Sequence, residues 1–393
     1  MKPNPASPQL ARAINDRMAL DLLVHHGRLS APQLRDLTGL SRPSIADLLD
    51  RLQEGGLVTQ VGESGKRRRG PNAKVYGLVT DYAHVAGVDV RSGAIHVALA
   101  DLSGRVVATS RRSVGDEPAL AALIRRALGD AARKAEVELG SLHTVVVGAP
   151  GFADQQTGEL LPGYEYPGWD AALLPGLIDA LDVPIAFENE ADLAGIAELH
   201  TGAGLGRRDL AVMWLDRSVG ASVILDGALR QGASGGAGEV GKLAVPGARL
   251  PVPGHGAGGL HSLVSAEAVR DLAAEYELPD APVATQVRDA CAADDTPAAH
   301  FVDALAARIA LGTLALVAVV DPGLIVLAGD IGQAGGEELA TMVSRHLTTL
   351  DVTPTEVRAS ELADPPVMTG AVLAALRIAH DDIFGGAGDL VAE

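Results

Sequence analysis

Arg42 and Ser44, directly behind Ser41, and the run Lys66, Arg67, Arg68 and Arg69 are the side chains best suited to work on a polyanion. A guanidinium can donate two hydrogen bonds to guanine in the major groove of DNA, and clustered cations suit a narrow minor groove with negative potential. Whether they act together depends on the elements that carry them. Ser30 precedes a short amphipathic segment bearing Leu34 and Leu37, Thr38-Gly39-Leu40 supplies a turn, and Ser41 precedes a second segment with Ile45, Leu48, Leu49 and Leu52 inward. Serine caps a helix start and glycine tolerates the turn conformation. The second helix then presents Arg42, Ser44 and Asp47 outward near its beginning, with Arg51 later, where it would meet phosphate or solvent. Residues 57–61 (LVTQV) and 73–76 (AKVY) read as two strands whose connection carries the basic run. This is the outline of a winged helix-turn-helix, with Ser41, Arg42, Ser44, Arg51, Lys66, Arg67, Arg68 and Arg69 as expected DNA contacts. For the basic run, a solvated loop is the plainer alternative. Upstream, Leu10, Ile14, Met18 and Leu22 recur every four residues and predict a bracing helix over residues 8–26 with that stripe buried.

The chain has 393 residues, enough for two or three domains, and its net charge of −18 would by itself argue against nucleic acid. The distribution of charge points the other way. Residues 1–80 carry 12 basic and 7 acidic side chains, leaving 20 basic and 43 acidic for the remainder. A basic reading head on an acidic body fits the asymmetry, since the body would be repelled by phosphate. Cys291 is the single cysteine, which excludes an intrachain disulfide. The N-terminal residues lack a secretory pattern, and the most apolar run, residues 309–320, falls short of the roughly 20 residues of a membrane span and reads as a buried helix. The expected location is the cytoplasm, in association with the nucleoid, with no membrane partner.

From residue 84 the pattern changes to α/β alternation. HVAGVDV, GAIHVALADL and RVVATSRRSV read as strands, followed by a helix over 117–139 and the strand TVVV. A second series starts with LAVMWLD and ASVILDGALRQG and ends with a helix over 301–320 and the strand LIVLAGD. Hairpin, helix and strand thus occur twice, which predicts two related lobes with a cleft between them.

Several stretches together resemble the ROK family of repressors, open reading frames and sugar kinases: TGLSRPSIADLLDRLQEGGLV, GVDV, VVVGAPG, FENEADLA, LDGALRQGASGGAGEVGK and LAGDI, in that order. The resemblance covers nearly the whole chain. It implies a winged head over residues 1–80 and, over 81–393, a two-lobed actin-like (ribonuclease H-like, sugar-kinase type) α/β domain for effector binding and oligomerisation. It also implies an effector site on Gly151, Asn189, Glu190, Glu239, Lys242, His261 and Ser262.

Departures from the family pattern carry as much information. Kinases of the family open the first hairpin with paired glycines that admit ATP phosphates; here Arg91 and Ser92 stand in that turn. The second phosphate turn reads Leu215-Asp216-Arg217-Ser218-Val219-Gly220, with a carboxylate that would repel a triphosphate. The catalytic aspartate position is Glu190, whose extra methylene displaces a base by about 1 Å, worth roughly 100-fold in rate. Asn189 and Glu190 could instead cap the following helix. Pro253, His255 and Leu260 replace the three zinc-binding cysteines and Lys242 replaces a histidine, so the family zinc, and with it any cofactor, is expected to be absent. Only five lysines face 27 arginines in the chain, which singles out Lys242. It either pairs with Glu239 or meets an effector bearing phosphate or carboxylate. These residues point to a homodimeric or homotetrameric repressor of carbohydrate or amino-sugar genes, binding a double-stranded operator under control of a sugar or sugar phosphate, without catalytic residues. A sugar kinase with a regulatory head and an effector-independent DNA-binding protein are the alternatives.

Overall fold

The computed structural model describes residues 8–64, 73–91, 93–114, 120–149, 152–153, 160–161, 173–251, 258–293, 296–350 and 354–385. Lys66, Arg67, Arg68, Arg69, Gly151, Ser92, Pro253 and His255 lie outside the described residues.

The head consists of α1 (Pro8–His26), β1 (Arg28–Ser30), α2 (Ala31–Thr38), α3 (Arg42–Glu54), β2 (Val58–Ser64) and β3 (Ala73–Leu78), with the strands in the order β1-β3-β2. Local chemistry sets its helix ends. The Gln33 side chain accepts from the Ser30 amide at 2.9 Å, Gly39 turns left-handed (φ 71°) to end α2, and Ser41 Oγ accepts from the Ser44 amide at 3.3 Å to start α3. Ile45, Leu48, Leu49 and Leu52 are buried as the spacing predicts.

The stripe expected on α1 is not the face that is buried. Ile14 is 41% exposed, and α1 instead buries Ala19, Leu20 and Leu23, while on α2 Leu34 is buried and Leu37 is 50% exposed. A row spaced by four advances 400° per step, about 40° beyond a full turn at roughly 100° per residue, so it spirals off any one contact face. Combined spacings of three and four, as in positions 19, 20 and 23, hold it.

The body begins with β4 (His84–Val90), β5 (Ala94–Asp101), β6 (Val106–Ser113), α4 (Leu120–Ala135), β7 (Thr144–Ala149), the short pair β8 (Phe152–Ala153) and β9 (Leu160–Leu161), α5 (Leu173–Leu181), β10 (Ile185–Asn189) and α6 (Glu190–Thr201). The second lobe adds β11 (Leu210–Leu215), β12 (Val219–Leu225), β13 (Ala228–Leu229), α7 (His261–Val264), α8 (Ala266–Glu275), α9 (Val283–Ala292), α10 (Thr296–Val320), β14 (Leu324–Ala328), α11 (Gly329–Thr349) and β15 (Glu356–Ala359), and α12 (Pro366–Phe384) closes the described chain. The sheets run β10-β7-β4-β5-β6 and β13-β12-β11-β14-β15. Each is an antiparallel three-strand meander whose first strand then pairs in parallel with a later one, β4 with β7 and β11 with β14. The duplication expected from the sequence is therefore one strand order used twice. By length and composition α10 could cross a membrane, but half of its most apolar stretch is buried in this fold, where Phe301, Leu305 and Ile309 join the core of the second lobe.

One helix ties the parts together. α12 packs on β4, β7 and α6, and its apolar face joins one continuous core with the head, α6 and strands of both lobes. Close approach requires bare backbone: a Cβ on Gly87 of β4 would stand 2.5 Å from the Val372 amide nitrogen and 2.6 Å from the Met368 carbonyl oxygen. At its far end α12 grips the head. Arg17 of α1 donates to the His380 carbonyl at 2.9 Å and to Asp381 at 3.0 Å, and its guanidinium lies 5.6 Å from the Phe384 ring centre.

Candidate effector cleft and DNA-reading face

On the head, Arg42 and Ser44 are exposed at the beginning of α3, as a reading helix requires. Ser41 spends its hydroxyl on the cap and lies 2.9 Å from the Ser44 hydroxyl. Arg51, expected toward DNA, is instead bound to Asp16 of α1 at 2.6 Å and to Asp47 one turn earlier. It braces α3 against α1, and the Asp16 bond lifts its already high pKa further.

In the body, the first strands of the two sheets end face to face. Arg91, just past β4, contacts Asp89 at 3.1 Å and reaches across to Asp216, just past β11, at 2.6 Å. Its guanidinium also sits 4.9 Å from the centre of the Trp214 ring. Burial alone would lower the Arg91 pKa, but Asp89 and Asp216, aided by Glu190 and Asp330, raise it instead, so the charge is fixed. The two altered phosphate turns thus compensate each other, cation against carboxylate.

Glu190 lies beneath this pair. Trp214 donates its indole N–H to Glu190 Oε1 at 3.1 Å and the Ser218 hydroxyl donates to the same oxygen. Burial pushes the Glu190 carboxyl up to about 7 despite Arg91. Neighbouring Asn189 caps α6, its Oδ1 accepting from the amides of Ala191 at 2.7 Å and Asp192 at 3.2 Å. The capping alternative therefore describes Asn189, whereas Glu190 is held by side chains of the second lobe.

Among the described residues, the expected effector residues Glu239, Lys242, His261 and Ser262 occupy one neighbourhood. Gly238, at φ 85°, lies where a Cβ would strike the Ala221 carbonyl, and Gly259 comes within 2.5 Å of the Gly241 carbonyl at its Cβ position. These close approaches bring the segments around Glu239, Lys242 and His261 together. Lys242 pairs with Glu239 at 2.9 Å, the first of the two roles open to it. Burial depresses the His261 pKa to about 4, so the ring is neutral, and Ser262 donates its hydroxyl to the Gly259 carbonyl at 2.8 Å. In this structure Ser262 serves the loop backbone.

Asp192 and Glu188, not singled out by sequence, add two further carboxyls near Glu239. Glu188 accepts from Gln231 at 3.1 Å, and burial raises its pKa. Burial, then Glu188 and Glu239, push Asp192 up to about 8. Such a group stays protonated in the folded chain over a pH range where the unfolded chain has released its proton. Its stabilisation is complete below the unfolded value of about 4 and disappears as pH rises toward 8. Asp192→Asn should therefore match the native chain near pH 4 and exceed its stability by about 1 kcal/mol or more near pH 8.5. Urea midpoints at the two pH values measure this, and an equal loss at both would refute it.

The ROK family profile matches residues 85–378, and a MarR family profile matches residues 14–69. The chain belongs to the ROK family. Within that family it is 24% identical over 235 residues to the xylose repressor of Caldicellulosiruptor bescii, covering 59% of each chain. It is 27% identical over 284 residues to the glucokinase of Halalkalibacterium halodurans, covering 66% of this chain and 84% of the enzyme. A crystal structure described as a ROK family transcriptional regulator, homolog of the Escherichia coli MLC protein, superposes with a TM-score of 0.75 at 18% identity, covering 97% of this chain and 99% of that one. That likeness extends the shared fold across head and body. GVDV, FENEADLA and LAGDI fall within the ROK match, and the capped helices α2 and α3 within the MarR match.

Proposed function

We propose that this ROK protein is a transcriptional repressor whose operator binding responds to a sugar or sugar derivative and which does not phosphorylate that sugar. The observation that carries the reading is the Arg91–Asp216 pair at 2.6 Å, which joins the two lobes where their phosphate turns meet. A triphosphate there would have to displace the guanidinium and then face Asp89, Asp216 and the ring of Trp214. Glu190 has its Oε1 committed to Trp214 and Ser218, and a general base must lie within hydrogen-bond reach of the proton it removes.

The carboxyls of Glu188, Asp192 and Glu239, with Gln231 and Lys242, supply acceptors and donors for sugar hydroxyls. The family's zinc does not fit this donor set. Leu260 has no donor atom and stands where the family has a cysteine, and, wholly buried in the second-lobe core, it anchors the loop by packing; Lys242 stands where the family has a histidine. The protein acts as a homodimer in the cytoplasm, placing two heads on the half-sites of a palindromic operator.

Effector binding would favour one arrangement of the lobes, and α12 would carry that difference to Arg17 and the head. Only differential affinity for the two arrangements can do so. In a gel-shift assay on DNA upstream of its own gene, one of xylose, glucose, N-acetylglucosamine or their phosphates should change operator affinity by about 5- to 150-fold. Sugar-dependent ATP turnover that disappears in Glu190→Gln would overturn the non-enzymatic reading.

A further inference from the structure

A groove of about 490 Å³ separates α3 from β3, with α2 closing one end. Ile45, Leu49 and Tyr76 line its interior, while Arg35 of α2, Arg42 of α3 and Lys74 of β3 stand around it. All three cations are exposed. A winged head that lays the start of α3 in the major groove and its hairpin in the adjoining minor groove must straddle the sugar-phosphate strand between those grooves.

We propose that this groove cradles a single phosphodiester strand of duplex DNA, with Arg35 and Lys74 as sequence-independent phosphate contacts flanking Arg42. The inference rests on the DNA-binding reading of the head and assigns it two positioning residues. Charge complementarity selects the occupant: three cations line the groove against one carboxylate, Asp50, farther along α3. Arg35 contacts Asp36 at 2.7 Å, but both side chains are solvent-exposed, and such pairs contribute only about 0–1 kcal/mol, so a phosphate can take the guanidinium. Arg51 differs in this respect. Two carboxylates, one of them on α1, hold it to the head's own frame. Phosphate contact therefore passes from Arg51, where spacing along α3 put it, to Arg35 and Lys74, which come from other elements.

The test uses the full chain and a fluorescent random-sequence duplex, with binding followed by anisotropy between about 50 and 200 mM KCl. Arg35→Ala and Lys74→Ala should each lower the slope of log affinity against log salt by about 1 and weaken binding to every duplex sequence by the same factor. Arg35→Lys should restore most of the slope. Arg51→Ala should lower the melting temperature and leave the slope unchanged. Arg35→Ala and Lys74→Ala proteins that melt like the native chain and keep its full slope would overturn the cradle. Failure of the native chain to bind any duplex would overturn the DNA-binding reading itself, a result distinct from failure of the two variants alone.

Discussion

Arg91→Met should cost about 3 kcal/mol or more near pH 8, and clearly less near pH 5. The guanidinium is the cation that faces Asp89 and Asp216 directly and also counters Glu190 and Asp330. Without it, buried carboxylates confront each other, and removing one partner of a buried pair typically costs about 3–5 kcal/mol. The sign of the pH effect follows from the carboxyls. Burial already raises Glu190 to about 7, and burial with Asp216 raises Asp330; losing Arg91 raises both further. Groups with raised folded pKa values favour the folded state at low pH and lose that contribution as pH climbs through the folded value. Acid therefore rescues the variant by protonating Glu190 and Asp330. Asp216→Asn should be milder, since Arg91 keeps Asp89 at 3.1 Å. Urea denaturation of both variants at the two pH values decides the matter, and a penalty for Arg91→Met that is independent of pH would contradict it.

Gly370→Ala should cost about 3 kcal/mol or more for a single added methyl group. A Cβ there would stand 2.5 Å from the Leu193 carbonyl carbon and closer still to its oxygen. The obstacle is the backbone of α6, which cannot rotate away as a side chain could. α12 must then lift from α6, and the displacement reaches His380 and Asp381, the partners of Arg17. The same substitution at Gly129 of α4, where a Cβ would meet nothing within 4 Å, should stabilise the chain by about 0.5–1 kcal/mol through helix propensity. Opposite shifts in melting temperature from chemically identical changes would separate packing from propensity. Similar shifts would mean that α12 and α6 are less tightly apposed than the structure has them.

Much of this was legible in the sequence because it is local or periodic. Ser30, Gly39 and Ser41 mark helix boundaries through bonds to residues three or four positions away, and successive apolar runs linked by turns marked the strands of both meanders. The cleft was only half legible. Arg91 and Asp216 each stood out as a departure, but they lie 125 positions apart, and their union depends on two sheets meeting end to end. Opposite charge at the two altered turns was the available signal. Trp214 carried none, because an apolar strand residue shows no sign that its indole N–H will hold a carboxylate. The α1 stripe failed for a related reason: periodicity proposes faces, while neighbours decide which one is covered. Arg51 looked free for DNA because Asp16 sits 35 positions earlier, on a different helix.

Arg17 and Asp381 are separated by 364 positions, and this gives the molecule a timetable. At about 5–20 residues per second, a ribosome needs on the order of 20–70 seconds to travel from one to the other. The reading head, with its own helices and three-stranded sheet, emerges first and waits for the helix that will hold it. During that interval the nascent chain carries the winged head without the helix that packs against it. A messenger interrupted before Pro366 would make that condition permanent. Its product would lack the cover of β4 and β7 as well as the grip on α1, leaving a head beyond the reach of any signal from the body.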